Sequence, residues 1–245
     1  DSVVYLSLAY AQKGEVTKAG EVMSRFDDRK NPQVVGEVNR QMTILSIAAS
    51  HQFAREAMEA EKRRGPLAVK PGSVAVLYFK DDSKAKSLGP IQKAMAAMLL
   101  SDLSQIKSIS VLDRVRIQAL YDEMMLGQTG ITDRSSAPRV GRLLGAESVV
   151  AGSMLNPPQK LKVNAGLETT NSTRSRGGFM VESQIDEFFQ LQKEVVYNTV
   201  KGLGIRLTPE EEKAIAPFHT RSLKAAIYYG NGLEALDTGY WAEAL

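Results

Sequence analysis

Apolar residues recur along the chain with two periods, and the places where the period changes divide it into three segments. Between Val3 and Phe26 the spacing is helical, with Val3, Leu6 and Tyr10 on one stripe and Val16, Ala19, Met23 and Phe26 on the next. Lys13-Gly14-Glu15 interrupts them as a tight turn between antiparallel helices does. From Pro32, a residue suited to a helix start, Val35, Val38, Met42, Leu45, Ala49, Phe53 and Met58 carry a further helix toward Arg63-Arg64-Gly65-Pro66. Lys70-Pro71-Gly72 then marks a boundary. Val74 to Phe79 is a continuous apolar run, which predicts a strand buried on both faces.

The middle segment alternates strand and helix. A helix is predicted over Leu88–Leu103, a second strand over Ile109–Leu112, and a helix through Ile117, Leu120 and Met124. Ser135-Ser136-Ala137-Pro138 opens another helix that stops at Gly145, with serine as cap and glycine past the end. Glu147–Met154 reads as a third strand. Leu161, Val163, Ala165 and Leu167 alternate with polar residues, and the polar tip from Asn171 to Gly178 turns the chain back through Phe179, Val181 and Ser183, so the pair predicts a hairpin. Phe188–Val200 is helical, and Thr208-Pro209-Glu210-Glu211 is a capping box that opens one more helix. Ile227–Leu236 is helical again, Asp237-Thr238-Gly239 reads as a turn, and Tyr240 begins a last helix. The expectation is an α/β domain over residues 65–212, inserted between a helical region at 1–64 and a helical segment at 213–245.

The two ends share a finer pattern. Aligned on Gly14 and Gly239, each has a large residue two positions on (Val16, Trp241) and a small one five positions on (Ala19, Ala244). With Leu6 and Tyr10 at one end and Gly232 at the other, these residues resemble the signature places of the tetratricopeptide repeat. The repeat's early aromatic is Tyr228 at the second end, whereas Val3 stands there at the first. The resemblance implies stacked helical hairpins that present a groove for a helix or an extended peptide. Tyr5, Tyr10, Tyr228, Tyr229 and Tyr240 fall at repeat positions, so most are expected in the packing and a minority, Tyr229 the candidate, in the groove. The chain ends just after its last helix opens, which reads as a fragment of a longer array.

A second resemblance lies in the middle. Val111-Leu112-Asp113-Arg114, Leu120-Tyr121-Asp122-Glu123 and the stretch from Val140 through Leu143-Leu144-Gly145-Ala146 to Gly152-Ser153 are similar to the periplasmic superfamily containing the curli secretion protein CsgG and the amino-terminal domain of TolB. Phe188–Glu194 and Leu203–Glu210 resemble the closing helix of TolB-like domains that stand beside tetratricopeptide repeats. The likeness covers roughly residues 72–212. It implies a mixed-sheet α/β sandwich that binds other proteins or assembles with itself, usually in the bacterial envelope. The pore-forming members carry two long membrane-crossing hairpins per subunit; only Leu161–Ile185 could serve here, its strands barely reach the ~9–11 residues needed to span, and its tip carries Arg174 and Arg176.

Composition narrows the chemistry. Of 245 residues, 43% are hydrophobic and 24% charged, ordinary for a folded soluble chain. The net charge of +3 is too small to point to nucleic acid, and no aromatics interleave with the basic clusters at Arg25-Arg29-Lys30, Lys62-Arg63-Arg64 and Arg134-Arg139-Arg142. The absence of cysteine excludes disulfides, thiolate metal sites and cysteine catalysis. His51 and His219 are far apart, with no acid at ligand spacing. Ser83-Lys84-Ala85-Lys86 and Ser104-Gln105-Ile106-Lys107 spell serine-x-x-lysine without the companion segments of an acyl-transfer enzyme. Gly202-Leu203-Gly204 follows a helix, where a dinucleotide loop would follow a strand. No cofactor and no metal site is expected.

These readings lead to a non-enzymatic protein-interaction scaffold of the bacterial envelope, periplasmic or associated with the outer membrane, accessory to secretion or assembly. Its expected partners are other proteins, including a second copy of itself, and any membrane attachment would come through an anchor preceding this chain. Arg174, Arg176 and Tyr229 are the candidate partner-binding residues, the arginines because exposed loop tips on a rigid scaffold often carry binding. Two alternatives stand beside this reading. One is a cytoplasmic repeat-containing signalling regulator. The other is an enzyme using Asp81 and Asp82, charged residues at the carboxyl end of a buried strand.

Overall fold

The computed structural model describes residues 2–12, 15–24, 32–64, 68–84, 88–126, 136–157, 160–170 and 175–238. In chain order the elements are α1 (Ser2–Gln12), α2 (Val16–Met23), α3 (Pro32–Arg64), β1 (Lys70–Val76), β2 (Lys80–Asp81), α4 (Gly89–Leu103), β3 (Ser110–Val111), α5 (Arg114–Leu126), α6 (Ala137–Leu144), β4 (Ala146–Leu155), β5 (Lys160–Thr169), β6 (Ser175–Gln184), a 3-10 turn (Ile185–Glu187), α7 (Phe188–Gly202), α8 (Pro209–Ile215) and α9 (Leu223–Thr238).

One mixed sheet runs in the order β3-β1-β4-β5-β6, and β2 extends the β1 side along β4. β1 lies parallel to β3 and β4, whereas β4, β5 and β6 are antiparallel neighbours. The two-residue period of β1 divides its side chains between two cores, as a strand buried on both faces requires. Val74 and Val76 join α4 and α7 on one face. Ala75 and Leu77 join α3, α5 and α6 on the other. In β5 Leu161, Val163, Ala165 and Leu167 enter the core with Lys162 and Asn164 half-buried between them, but the expected alternation stops at Ala165, since Gly166 and Glu168 are buried too. Gly145 closes α6 in the left-handed conformation, φ 68°, where a side chain would be strained.

Helix α4 is covered on most sides, with Ala94 through Leu100 all buried. The sheet lies beneath it, α7 beside it and α9 across it. The last approach is close: a Cβ on Gly230 of α9 would stand 1.9 Å from the carbonyl oxygen of Pro90. Ala226 of the same helix belongs to the core that holds α4 and α7. Helix α3, about 50 Å long for its 33 residues, spans two packing environments. Phe53, Ala54, Ala57 and Met58 pack on α5 and α6. Val38, Met42 and Leu45 instead close a small core with Ala19, Met23, Val4 and Tyr10 from α1 and α2.

Several local expectations are corrected. The strand expected at Val74–Phe79 starts at Lys70 and its ladder ends at Val76. Its first residues shift register between Lys70 and Val74, around Gly72 with φ 72°. Ser136 occupies the cap position of α6 but makes no side-chain cap bond. Asp237 and Thr238, expected in a turn, are the last residues of α9. The tyrosines assigned to repeat packing are mostly on the surface, with Tyr5, Tyr228 and Tyr229 exposed by 73%, 61% and 48%. The capping box of α8 is present as expected. Lys13, Gly14, Phe26, Gly239, Tyr240, Trp241 and Ala244 lie outside the described residues.

Candidate functional site

Where β1 and β2 run out of the sheet, a cleft of about 310 Å³ opens between β2, α4, α5 and α9. The carboxyl ends of parallel strands are where open α/β sheets leave such crevices. Lys93 and Glu234 on its wall belong to an ionic chain that continues behind them. The Asp237 carboxylate, 5% exposed, accepts from Lys93 Nζ and from Arg114 Nη1, both at 2.6 Å. Arg114 also donates to the Tyr78 hydroxyl at 3.0 Å. Lys93 reaches Glu234 at 2.7 Å and stands 5.4 Å from the centre of the Tyr78 ring. Burial opposes the Arg114 charge, but Tyr78 and the Asp237 carboxylate outweigh it and hold the guanidinium above its ordinary value. Tyr78 and Tyr121 lean together with ring centres 5.8 Å apart, and burial pushes both phenols above the usual range.

Behind them α5 meets α3. Gln118 Nε2 donates to Asp122 at 2.7 Å. His51 lies 3.6 Å from Asp122 and 3.3 Å from Glu123, and Arg55 donates to Glu123 at 2.8 Å. Burial raises the Asp122 carboxyl, against the bond from Gln118 and the charge of His51.

A second cluster lies at the other end of α4. Asp102, 3% exposed, accepts from Lys193 Nζ at 2.8 Å and Gln192 Nε2 at 2.9 Å, while His219 Nε2 stands 3.0 Å from its other oxygen. Lys193 donates in addition to the Ile215 carbonyl at 2.6 Å. This ties α4, α7 and the segment after α8 into one knot. Both histidines thus have acids contributed by distant residues, which spacing along the chain does not reveal. No group of three or more metal-ligating side chains occurs among the described residues.

Asp81 and Asp82 do not form a carboxylate pair. Both Asp81 oxygens are engaged, accepting from the Leu88 N–H at 2.8 Å, the Ser83 N–H at 2.8 Å and the Ser83 hydroxyl. Asp82 lies 3.3 Å from Lys80 at the surface. Asp81 therefore organises the entry to α4, although it borders the cleft. Of the candidate contact residues, Tyr229 is exposed on α9, Arg176 is the second residue of β6, and Arg174 lies outside the described residues. Tyr229 does not border the cleft. Sequence patterning singles out few of the residues that line it: Tyr78 and Phe79 stand in the first strand run, Tyr121 in a CsgG-like segment and Asp81 in the enzyme alternative, and the others carry no local mark. One signal was available: Glu234 and Asp237, three apart on a helix, share a face, and both reach Lys93.

Residues 56–166 match the family described as "Curli production assembly/transport component CsgG". The match runs from the second half of α3 into β5, just under half of the chain. Two solved structures are similar over larger shares. The LpoB C-terminal domain from Salmonella enterica is 12% identical, with 54% of this chain and 95% of that one covered at a TM-score of 0.38. Lipoprotein GNA1162 from Neisseria meningitidis is 16% identical, with 56% and 100% covered at a TM-score of 0.37. No curated protein matches. The chain thus carries a CsgG-like domain at 56–166, folded as a mixed α/β sheet between helices. No helix among the described residues is long and apolar enough to cross a membrane.

Proposed function

We propose that the protein is a non-enzymatic interaction module of the bacterial envelope, periplasmic or outer-membrane-associated, accessory to secretion or assembly. The CsgG-like match carries the reading, since the family is described by assembly and transport. The sheet supports a docking mode. β6 is the last strand of the sheet, with β5 on one side and no further described strand on the other. An open edge accepts a further strand from another chain, whether a partner or a second copy. Met180 on this strand is 57% exposed, so the edge offers apolar surface as well as backbone groups. Arg176 is a residue of this strand, and Tyr229 with the tetratricopeptide-like α1–α2 pair would add a second contact surface.

The test is affinity capture from fractionated cells of the native organism, with the complete gene product as bait. Recovery in the envelope fraction with a specific envelope partner is expected, and Met180→Lys should weaken that capture several-fold without unfolding the protein, because a lysine on an edge strand opposes pairing. Recovery with cytoplasmic partners alone would replace this reading by the signalling regulator. Capture unchanged in the Met180→Lys variant would remove the strand edge from it.

A further inference from the structure

We propose that the cleft at the carboxyl end of β1 binds a neutral, hydroxyl-rich ligand about the size of one sugar ring. Its volume of about 310 Å³ is at the small end of the range for small-molecule sites. Its charges are already matched. Lys93 faces Glu234 and Asp237, Lys80 faces Asp82 at 3.3 Å, and the Asp81 oxygens are held by Ser83 and Leu88. An anion would have to displace Glu234 from Lys93, and a cation would meet Lys93 itself. Ionic ligands are therefore disfavoured on both signs.

What remains without a partner is neutral. Tyr121 borders the cleft, is 7% exposed, and its hydroxyl makes no hydrogen bond. Gln118, also on the cleft, leaves Oε1 unpaired. The orientation of that amide is set by its Nε2, which donates to Asp122 at 2.7 Å, so the free atom is an acceptor. An amide oxygen requires a donor, and a phenol takes either role. A ligand hydroxyl answers both, and adjacent hydroxyls on one ring answer both atoms at once. The leaning rings of Tyr78 and Tyr121 supply apolar surface beside these polar atoms, the mixture that a sugar's C–H face and hydroxyls require. Both unpaired atoms are shielded from solvent in the free protein, so the ligand reaches them as the two side chains turn toward the cleft, with Gln118 exchanging its bond to Asp122 for bonds to the ligand, and pairing two buried polar groups favours it.

The test is calorimetric titration of the whole chain with N-acetylglucosamine, its linear trimer, inorganic phosphate and acetamide, each alone. Saturable one-site binding of the monosaccharide or the trimer is expected. Monosaccharide binding means a free sugar suffices, and trimer-only binding means a glycan end is required. Tyr121→Phe and Gln118→Leu should each weaken the binding by about tenfold or more. Tyr121→Phe should leave the ligand-free unfolding temperature unchanged or higher, since the hydroxyl it removes has no partner. Silence with both sugars, binding of phosphate or acetamide instead, or sugar affinity unchanged in both variants would overturn the proposal. So would a clear fall in stability for Tyr121→Phe, which would mean that the hydroxyl is already paired.

Discussion

The two ionic clusters on α4 use the same chemistry in opposite arrangements. At the carboxyl end, α4 supplies the acid: Asp102 meets Lys193 from α7 and His219 from the segment after α8. Toward the amino end it supplies the base: Lys93 takes its acids from α9. Neither sign suits an isolated helix, because the dipole favours acids near the amino end and bases near the carboxyl end. Tertiary partners therefore account for both residues. The clusters also share a division of labour. Asp102, Lys93 and Arg114 lie inside the CsgG-like stretch 56–166, whereas Lys193, His219, Glu234 and Asp237 lie beyond it. Each cluster is a clasp between that stretch and the carboxyl-terminal helices. They differ in closure, since the Lys193 and Asp102 side chains are 7% and 4% exposed, while Glu234 is 59% exposed and borders the open cleft. A closed clasp holds the fold together; an open one leaves room for a ligand.

The largest expected effect tests the closed side. Removing one partner of a buried ion pair strands the other, so Asp102→Ala should destabilise the protein by about 3–5 kcal/mol. Urea unfolding with wild type alongside measures it. A loss under about 1 kcal/mol, the level of an exposed ion pair, would mean that Lys193 finds water on this side too, and the contrast between the ends would disappear.

Asp237→Ala tests the open side and should cost less, about 1–3 kcal/mol, the range for leaving hydrogen-bonding groups unpaired. Lys93 keeps Glu234 and Arg114 keeps Tyr78 when Asp237 is lost. The effect should also be local, with amides of α9 exchanging faster and those of β4 and β5 unchanged. Faster exchange throughout the sheet would show that α9 is as integral to the core as α7.

The contrast also marks what was legible in the sequence. The strand–helix alternation, the hairpin and the capping box announce themselves because each is a local pattern of period, turn or cap. The CsgG-like segments were readable for the same reason, being short ordered runs. The clasps were not, because Lys93 and Asp237 are 144 positions apart and Asp102 and Lys193 are 91 apart. Read locally, Asp237 before Gly239 is a turn residue; its two cations hold it in the helix. His219 looks solitary until the fold returns it to Asp102. The repeat-like tyrosines mislead for the complementary reason. Their spacing fits a helical stripe, but Tyr228 meets the Lys224 ammonium, 5.5 Å from its ring centre, and both Tyr228 and Tyr229 stay largely in solvent.

Glu211 offers the smallest effect and sharpens the closed side, because backbone N–H groups hold it ahead of the charge of Lys107. Its carboxylate accepts the N–H of Thr208 at 3.0 Å, within the α8 cap, and the N–H of Lys107 at 2.9 Å, just past α4. These bonds from Thr208 and Lys107 hold the carboxyl below the ordinary glutamate range, against the opposing effect of burial. A group whose folded value is depressed stabilises the fold above its unfolded value, about 4.3 for glutamate, and loses that contribution as pH falls through the folded value. Glu211→Gln should therefore be less stable than wild type at pH 7, and the gap should narrow below about pH 4. Unfolding midpoints across pH 2.5–7 test this. A gap that stays the same across this range would mean that the loss does not come from the carboxylate's charge and that charge has no part in this joint, leaving Asp102 and its basic partners as the charged closure at that end of α4 among the described residues.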